Sequence, residues 1–255
     1  SRGLGDVYKR QLYNIVDSYF VAQISEQAMT ALSLVYPLQL LETAIAVGFG
    51  IGMNAAAAYY LGAKEQQRAD DIVTSGLILS LLHGVILMAA ALLFAPAFVS
   101  LFTENEKILA EGVKYSNLVF IFAVPNVIAI TFEKIFQAEG RMKVSMLSML
   151  CGCVANIILD PLLIFGIGIF PKMGIEGAAI ATGIGQVIPL IVYLFIFIKH
   201  PVSLHFHWHE KVFQKRLMGQ MYGVGIPATL NLALPSFMIT ALNGILAVYS
   251  ASYVL

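Results

Sequence analysis

The fold follows from residues 142–169, which read MKVSMLSMLCGCVANIILDPLLIFGIGI. After Lys143, the only acidic or basic residue in this run is Asp160. A run of roughly 20 apolar residues is long enough to cross a bilayer as an α-helix. In lipid, a helix also satisfies each backbone polar group within its own segment. The run therefore predicts a membrane-spanning helix with one carboxylate inside it.

The rest of the sequence has the same character. Of the 255 residues, 59% are hydrophobic and 12% are charged, whereas an average soluble domain carries roughly 25% charged residues. Fifteen basic residues balance fifteen acidic ones, so the chain lacks the basic surface that binding to nucleic acid needs. Two cysteines exclude a disulfide framework. These features favour an all-α integral membrane protein.

About seven apolar segments are predicted to form transmembrane helices. They cover residues 12–24, 29–61, 72–102, 113–136, 142–169, 175–198 and 217–249. The first is about 13 residues long, below the roughly 17 that a span needs. Residues 1–11 are polar, and we interpret them as a foreign or artefactual leader that replaces the start of a truncated first helix.

The distribution of Lys and Arg between the segments predicts the orientation. If the linker after the second segment is cytoplasmic, nine of these residues lie on that side and three on the other, with the N-terminal tail left out. Basic residues are in excess on the cytoplasmic side of membrane proteins. The N-terminus is therefore predicted to be cytoplasmic.

Two carboxylates inside the segments are candidates for a cation or proton site. Asp17 has Asn14 three residues earlier on the same helical face, and Asp160 has Asn156 one turn earlier. Pro161 cannot donate a hydrogen bond to the preceding turn, so a kink is expected there. An ionisable group within a span is costly unless it faces a cavity or a partner, which makes it a functional candidate. The alternative role is a structural hydrogen bond between helices.

Two further carboxylates have different settings. Glu42 has Gln39 one turn earlier, and this pattern alone leaves its role open. Glu133 precedes Lys134 and lies close to Arg141, so we predict that it lies among the cytoplasmic headgroups.

Small residues and cysteines inside the segments are assigned to packing. Gly48 and Gly52 form a small-xxx-small pair, which is typical of close contact between helices. Cys151 and Cys153 are two positions apart, so they point some 200° apart on a helix and cannot share a metal.

Three histidines, His205, His207 and His209, alternate with Phe206 and Trp208 in the longest linker. As a strand, this segment would place three imidazoles on one side, where they could bind zinc or copper. As an interfacial segment, it would bury the two aromatic side chains among headgroups. We favour the second interpretation.

Six short motifs occur in an order that resembles a known family. They are NIVDSYFVA at 14–22, ALSLVYPLQLL at 31–41, GAK at 62–64, QAEG at 137–140, NIILDP at 156–161 and GIEGAAIAT at 174–182. Together they resemble the multidrug and toxic compound extrusion (MATE) family from about Leu12 to the end of the chain. The NIILDP motif is most similar to the DinF-like branch of that family.

The resemblance implies a transporter of twelve helices in two six-helix lobes. On that template, residues 12–198 form the N-terminal lobe, residues 199–216 a cytoplasmic linker between the lobes, and residues 217–255 the first helix of a truncated C-terminal lobe. The implied cation or proton ligands are Asp17, Asn156, Asp160 and Thr182. The candidates for the substrate cavity are Tyr115, Asn14, Gln39 and Glu42.

The resulting prediction is a secondary active transporter and not an enzyme. We expect it to couple H+ or Na+ to the export of an organic cation or drug across the cytoplasmic membrane of a bacterium, without a cofactor. Its expected partners are the substrate, membrane lipid and the missing second lobe of the same chain.

Two other functional classes make different demands on the sequence. A lipid-linked oligosaccharide flippase of the same superfamily is the alternative, but it should carry several Arg or Lys residues inside the spans to hold pyrophosphate. The sequence shows none at mid-depth. An intramembrane enzyme would need a nucleophile with a base, or metal ligands, at one depth, and no such pair is evident.

Overall fold

The structure is a computed structural model that describes residues 15–209 and 212–249. Within these ranges every regular element is a helix, as predicted. The helices are α1 (15–22), α2 (Glu26–Gly62), α3 (Gln66–Ser100), α4 (Glu106–Ile121), α5 (Ala123–Ala138), α6 (Met142–Phe165), α7 (Ile175–Lys199) and α8 (Lys215–Ala247).

Five of these helices are long and apolar enough to cross a membrane, and α4 and α5 together form a sixth candidate span with a bend of 46°. Large apolar side chains such as Leu93, which is 73% exposed, lie on the outer surface. The bend is a departure from the single predicted segment at 113–136. It lies just before Pro125, which has no N–H to donate to the carbonyl of Ile121.

The end of α6 also differs from the prediction. The helix continues through Pro161 without a break but stops at Phe165, four residues before the predicted end of the segment. Gly166 follows with a φ of 71°, a left-handed conformation that glycine adopts without steric cost. The apolar residues after it belong to the loop before α7.

The long helices α2 and α8 pack antiparallel along a seam of small residues. A Cβ on Gly48 would collide with Thr229, and a Cβ on Gly52 with the backbone of Met221 and Gly225. The predicted close packing at the glycine pair is therefore confirmed. In lipid, such close approach replaces the hydrophobic effect as the source of helix association.

Polar contacts continue the same seam at its other end. Pro37 lies inside α2 and leaves the carbonyl of Ser33 without its usual helical donor. Asn243 Nδ2 of α8 donates to that carbonyl at 3.4 Å, and Ser236 Oγ donates to the carbonyl of Pro37 at 2.7 Å. Helix α8 thus satisfies a backbone group that the proline releases.

Two apolar clusters pack the ends of the bundle around α2. One includes Met53, Tyr60, Ile72, Phe136 and Leu204. The other joins α1, α2, α3, α4, α6 and α7 through residues that include Val21, Leu34, Val99, Val119, Ile164 and Ala178. The second cluster includes the helices that carry the predicted ion ligands and their neighbours.

Substitution of Gly52 tests the seam. Gly52→Ala places a methyl group against the backbone of α8, and we expect it to lower the free energy of unfolding by roughly 1–3 kcal/mol. Gly62→Ala is the matched control, because a Cβ there meets nothing within 4 Å. Thermal unfolding of the purified variants in one detergent gives the comparison, and equal midpoints for the two would contradict this packing.

Candidate functional site

A chain of polar contacts links three helices in the interior of the bundle. Gln39 Nε2 of α2 donates to the hydroxyl of Tyr115 on α4 at 3.5 Å. That hydroxyl donates to Asp17 Oδ2 of α1 at 3.2 Å. Asp17 is 5% exposed and Tyr115 is 1% exposed, so the carboxylate is held inside the protein.

The second carboxylate enters from α6. Asn156 Nδ2 donates to Asp160 Oδ1 at 3.3 Å, across one helical turn. Asp160 is fully buried and lies near enough to Asp17 for the two carboxylates to repel one another. Thr182 of α7 lies beside Asp17. We call Asp17, Tyr115, Asn156, Asp160 and Thr182 the carboxylate cluster.

Four buried oxygens of the carboxylate cluster make no hydrogen bond within the part of the chain that the structure describes. They are Asp17 Oδ1, Asn156 Oδ1, Asp160 Oδ2 and Thr182 Oγ1. A buried polar atom without a partner is costly, so such atoms are normally satisfied by water, an ion or a proton. Carboxylate, amide and hydroxyl oxygens are the ligands that hard cations prefer. Either a bound cation or a proton shared with a carboxylate would satisfy several of these atoms.

A cavity of about 170 Å³ lies beside the carboxylate cluster, between α2, α5, α6 and α7. The polar and aromatic side chains in its wall include Tyr36, Gln39, Asn126, Glu133, Thr182 and Tyr193. Gln39 and Thr182 are shared, because Gln39 also contacts Tyr115 and Thr182 lies beside Asp17. The cavity and the cluster are therefore contiguous.

The structure places Glu133 in this cavity wall and not among headgroups, which corrects the sequence prediction. Glu133 is 4% exposed. Its Oε1 accepts hydrogen bonds from Lys134 Nζ and Gln137 Nε2, both at 2.9 Å. Burial of this ion pair is tolerated because each charge has its partner and further hydrogen bonds. The pairing also engages Lys134, the one basic residue that the structure buries among its described residues.

The remaining cavity candidates fall in different places. Glu42 is buried, and its Oε1 accepts from Asn126 Nδ2 at 3.0 Å. It therefore contacts a residue of the cavity wall. Asn14 lies outside the described residues. The predictions from sequence do not identify Asn126, Ile130 and Glu133 as a group that lines a cavity. Their spacing of four and three residues nevertheless places them on one face of α5.

The predicted burial of Phe206 among headgroups is wrong. Phe206 packs against the rings of Phe132 and Phe197, at centroid distances of 6.2 and 5.6 Å. It is therefore buried against protein. Trp208 is 73% exposed on the protein surface, and its position among headgroups stays a prediction.

Comparisons with known proteins agree with this architecture. The MatE family model matches residues 10–162. An FAD transporter of Shewanella oneidensis is 30% identical over 190 residues, which are 74% of this chain and 42% of that protein. The multidrug export protein MepA of Staphylococcus aureus is 27% identical over 239 residues, or 93% of this chain and 52% of MepA.

A solved structure gives the same result at the level of the fold. The crystal structure of a MATE protein in the bent conformation superimposes with a TM-score of 0.81 and 26% identity, over 87% of this chain and 49% of that one. The chain thus spans about half the length of the curated relatives it matches. With more than half of its residues matched by the family model, the chain belongs to the MatE family.

Proposed function

We propose that the complete protein is a cation-coupled antiporter that exports organic cations or drugs across the cytoplasmic membrane of a bacterium, with its N-terminus inside. The observation that carries this proposal is the contiguity of the carboxylate cluster and the cavity through Gln39 and Thr182. A second lobe of the same protein would complete the cavity. The coupling ion, H+ or Na+, would bind at the carboxylate cluster.

The chemistry of the cluster supports an ion site. Two carboxylates close together in a low-dielectric interior repel, and a bound proton or Na+ relieves that repulsion. The oxygens of Asp17, Asn156, Asp160 and Thr182 that lack hydrogen bonds supply the acceptors. A purely structural polar contact would leave fewer of these atoms without a partner.

The character of the cavity wall supports a cationic cargo. Among the described residues that line it, Lys and Arg are absent, and the one acidic residue, Glu133, is paired with Lys134 behind the wall. Tyr36 and Tyr193 offer aromatic faces that attract organic cations. The names of the relatives include both a multidrug exporter and an FAD transporter. A wall without basic residues fits an organic cation better than a dinucleotide with two phosphates.

The shared side chains suggest how ion and cargo would exclude one another. An ion bound by Thr182 and Asp17 reduces the negative charge beside the cavity and engages a side chain of its wall. A cation in the cavity would be favoured by that same charge. Each ligand therefore weakens the binding of the other, which is the coupling that antiport requires.

The ion gradient supplies enough energy for export. Exchange of one H+ or Na+ for one monovalent organic cation moves no net charge, so the ion concentration gradient alone drives it, and each tenfold gradient gives about 1.36 kcal/mol, or a tenfold concentration ratio of cargo. A second coupled ion would add the membrane potential, at about 2.3 kcal/mol for one charge moving down 100 mV, or roughly another 50-fold.

Neutralisation of either carboxylate tests the proposed coupling. In the complete protein, Asp17→Asn and Asp160→Asn should each abolish export driven by the ion gradient, so that the roughly tenfold ratio that a tenfold ion gradient supports falls to about one. Export of a fluorescent cationic dye from cells gives the measurement, with the pH and sodium gradients varied separately. Glu104→Gln is the control, because Glu104 is exposed between α3 and α4. Wild-type export by either aspartate variant at equal protein level would overturn the proposed site.

Removal of the Thr182 hydroxyl distinguishes coupling to Na+ from coupling to H+. Thr182→Val keeps the shape of the side chain but removes an oxygen that a sodium ion would use, whereas a proton needs only one basic oxygen. If Na+ is coupled, the half-saturating Na+ concentration should rise about tenfold or more, since a polar contact to a charged group contributes roughly 1.5–3 kcal/mol. If H+ is coupled, the half-saturating proton concentration should change little.

The matched control for this measurement is Thr43→Val, which makes the same change elsewhere in the cavity wall. It should leave the dependence on either ion unaltered. An equal effect of both threonine variants on ion affinity would contradict a role for Thr182 as a ligand and would indicate a general change in the cavity.

A further inference from the structure

The linker between α7 and α8 is an extended segment with two distinct sides. Val202 and Leu204 are buried, and Phe206 packs against the bundle. His205 and His207 alternate with them and are exposed. This period of two places both imidazoles on the outer side, where their ring centroids are 5.8 Å apart.

The linker is held against the first turns of α3 in a regular register. Three hydrogen bonds of 2.8–3.1 Å join Ser203 to Gln66, His205 to Asp70 and His207 to Thr74. Each step of two residues in the linker matches a step of four in the helix. The match is geometric, because two extended residues span about 6.6 Å and four helical residues rise about 6.0 Å.

This register brings a buried carboxylate to the two imidazoles. Asp70 Oδ1 accepts from Gln66 Nε2 and from the backbone N–H of His205, both at 2.9 Å. Asp70 Oδ2 faces His205 Nδ1 at 3.8 Å. One ligand atom from each of Asp70, His205 and His207 lies within 4.8 Å of the others.

We propose that Asp70, His205 and His207 bind a zinc ion that joins the linker to α3. Two imidazole nitrogens and one carboxylate oxygen form a set that Zn2+ accepts, with a fourth position left for water. The ligand atoms of a tetrahedral zinc site are about 3.3 Å apart, since each bond is about 2.0–2.1 Å long. The ligand atoms lie within 4.8 Å of one another, so each separation exceeds that spacing by at most about 1.5 Å, which rotation of the exposed histidine rings closes.

The surroundings of Asp70 support this assignment. A metal-binding carboxylate is normally oriented by hydrogen bonds to its other oxygen, and Gln66 and the His205 amide do this for Oδ1. His209 is engaged separately, with its Nε2 2.7 Å from Asp71 Oδ1. The site is independent of the proposed transport activity, because none of its ligands belongs to the carboxylate cluster or to the cavity wall.

Metal binding by the purified 255-residue chain tests the proposal, with no polyhistidine tag present. Calorimetry should show one Zn2+ bound per chain, and Co2+ should give the visible absorption of a tetrahedral site. His205→Gln and His207→Gln should each weaken zinc binding by about tenfold or more, because each removes one of three protein ligands. His200→Gln is the matched control, since His200 is an exposed histidine at the start of the same linker.

Three results would overturn the proposal. The first is that the unmodified chain binds no more zinc than the double variant His205→Gln, His207→Gln does. The second is unchanged affinity in both single variants, and the third is an equal loss with His200→Gln. Thermal unfolding without metal should be the same for all variants, because both ligand histidines are exposed, and this comparison separates loss of the site from loss of the fold.

Discussion

The lack of hydrogen-bonding partners in lipid is the constraint on which this structure depends. A carboxylate inside a span must find its hydrogen-bond partners within the protein. The partner of Asp17 lies on another helix, and the partner of Asp160 lies on the same helix. Tyr115 brings α4 to α1, Asn156 supports Asp160 on α6, and Thr182 brings α7 to the same place. Several oxygens of the carboxylate cluster still lack a hydrogen-bond partner among the described residues. A set of buried oxygens that is almost but not fully hydrogen-bonded is suited to a ligand that binds reversibly.

The same constraint shapes the seam between α2 and α8. Pro37 leaves the carbonyl of Ser33 without a helical donor, and Asn243 supplies one from the facing helix. Gly48 and Gly52 let the two backbones approach closely enough for such contacts. The first helix after the linker is thus bound to the preceding bundle by backbone proximity and polar contacts, which are the interactions that remain effective in lipid.

The sequence predicts the helical class, the long apolar helices and the burial of Asp17 and Asp160, because these follow from local composition and from the cost of charge in lipid. It does not predict the bend near Pro125, since the consequence of a proline depends on how neighbouring helices support the break.

The sequence misplaces Glu133 for a related reason. The basic neighbours of Glu133 suggested headgroups, whereas Lys134 and Gln137 turn inward with it and form a buried, neutral group. The alternation of His205 and His207 with apolar residues is evident in the sequence of the linker. Asp70, however, is 135 residues away from His205, and no local pattern indicates that contact.

The two groups of potential ligands differ in ways that keep their ions apart. The carboxylate cluster offers only oxygen atoms and is buried, so it favours a proton or a hard cation. The linker group offers two imidazole nitrogens on an exposed surface with one buried carboxylate, which favours a borderline metal such as zinc. Sodium binds imidazole poorly, and zinc would have to lose its water to enter the buried cluster. The proposed zinc ion would therefore bind between the first turns of α3 and the linker that joins α7 to α8, apart from the proposed coupling ion at the carboxylate cluster.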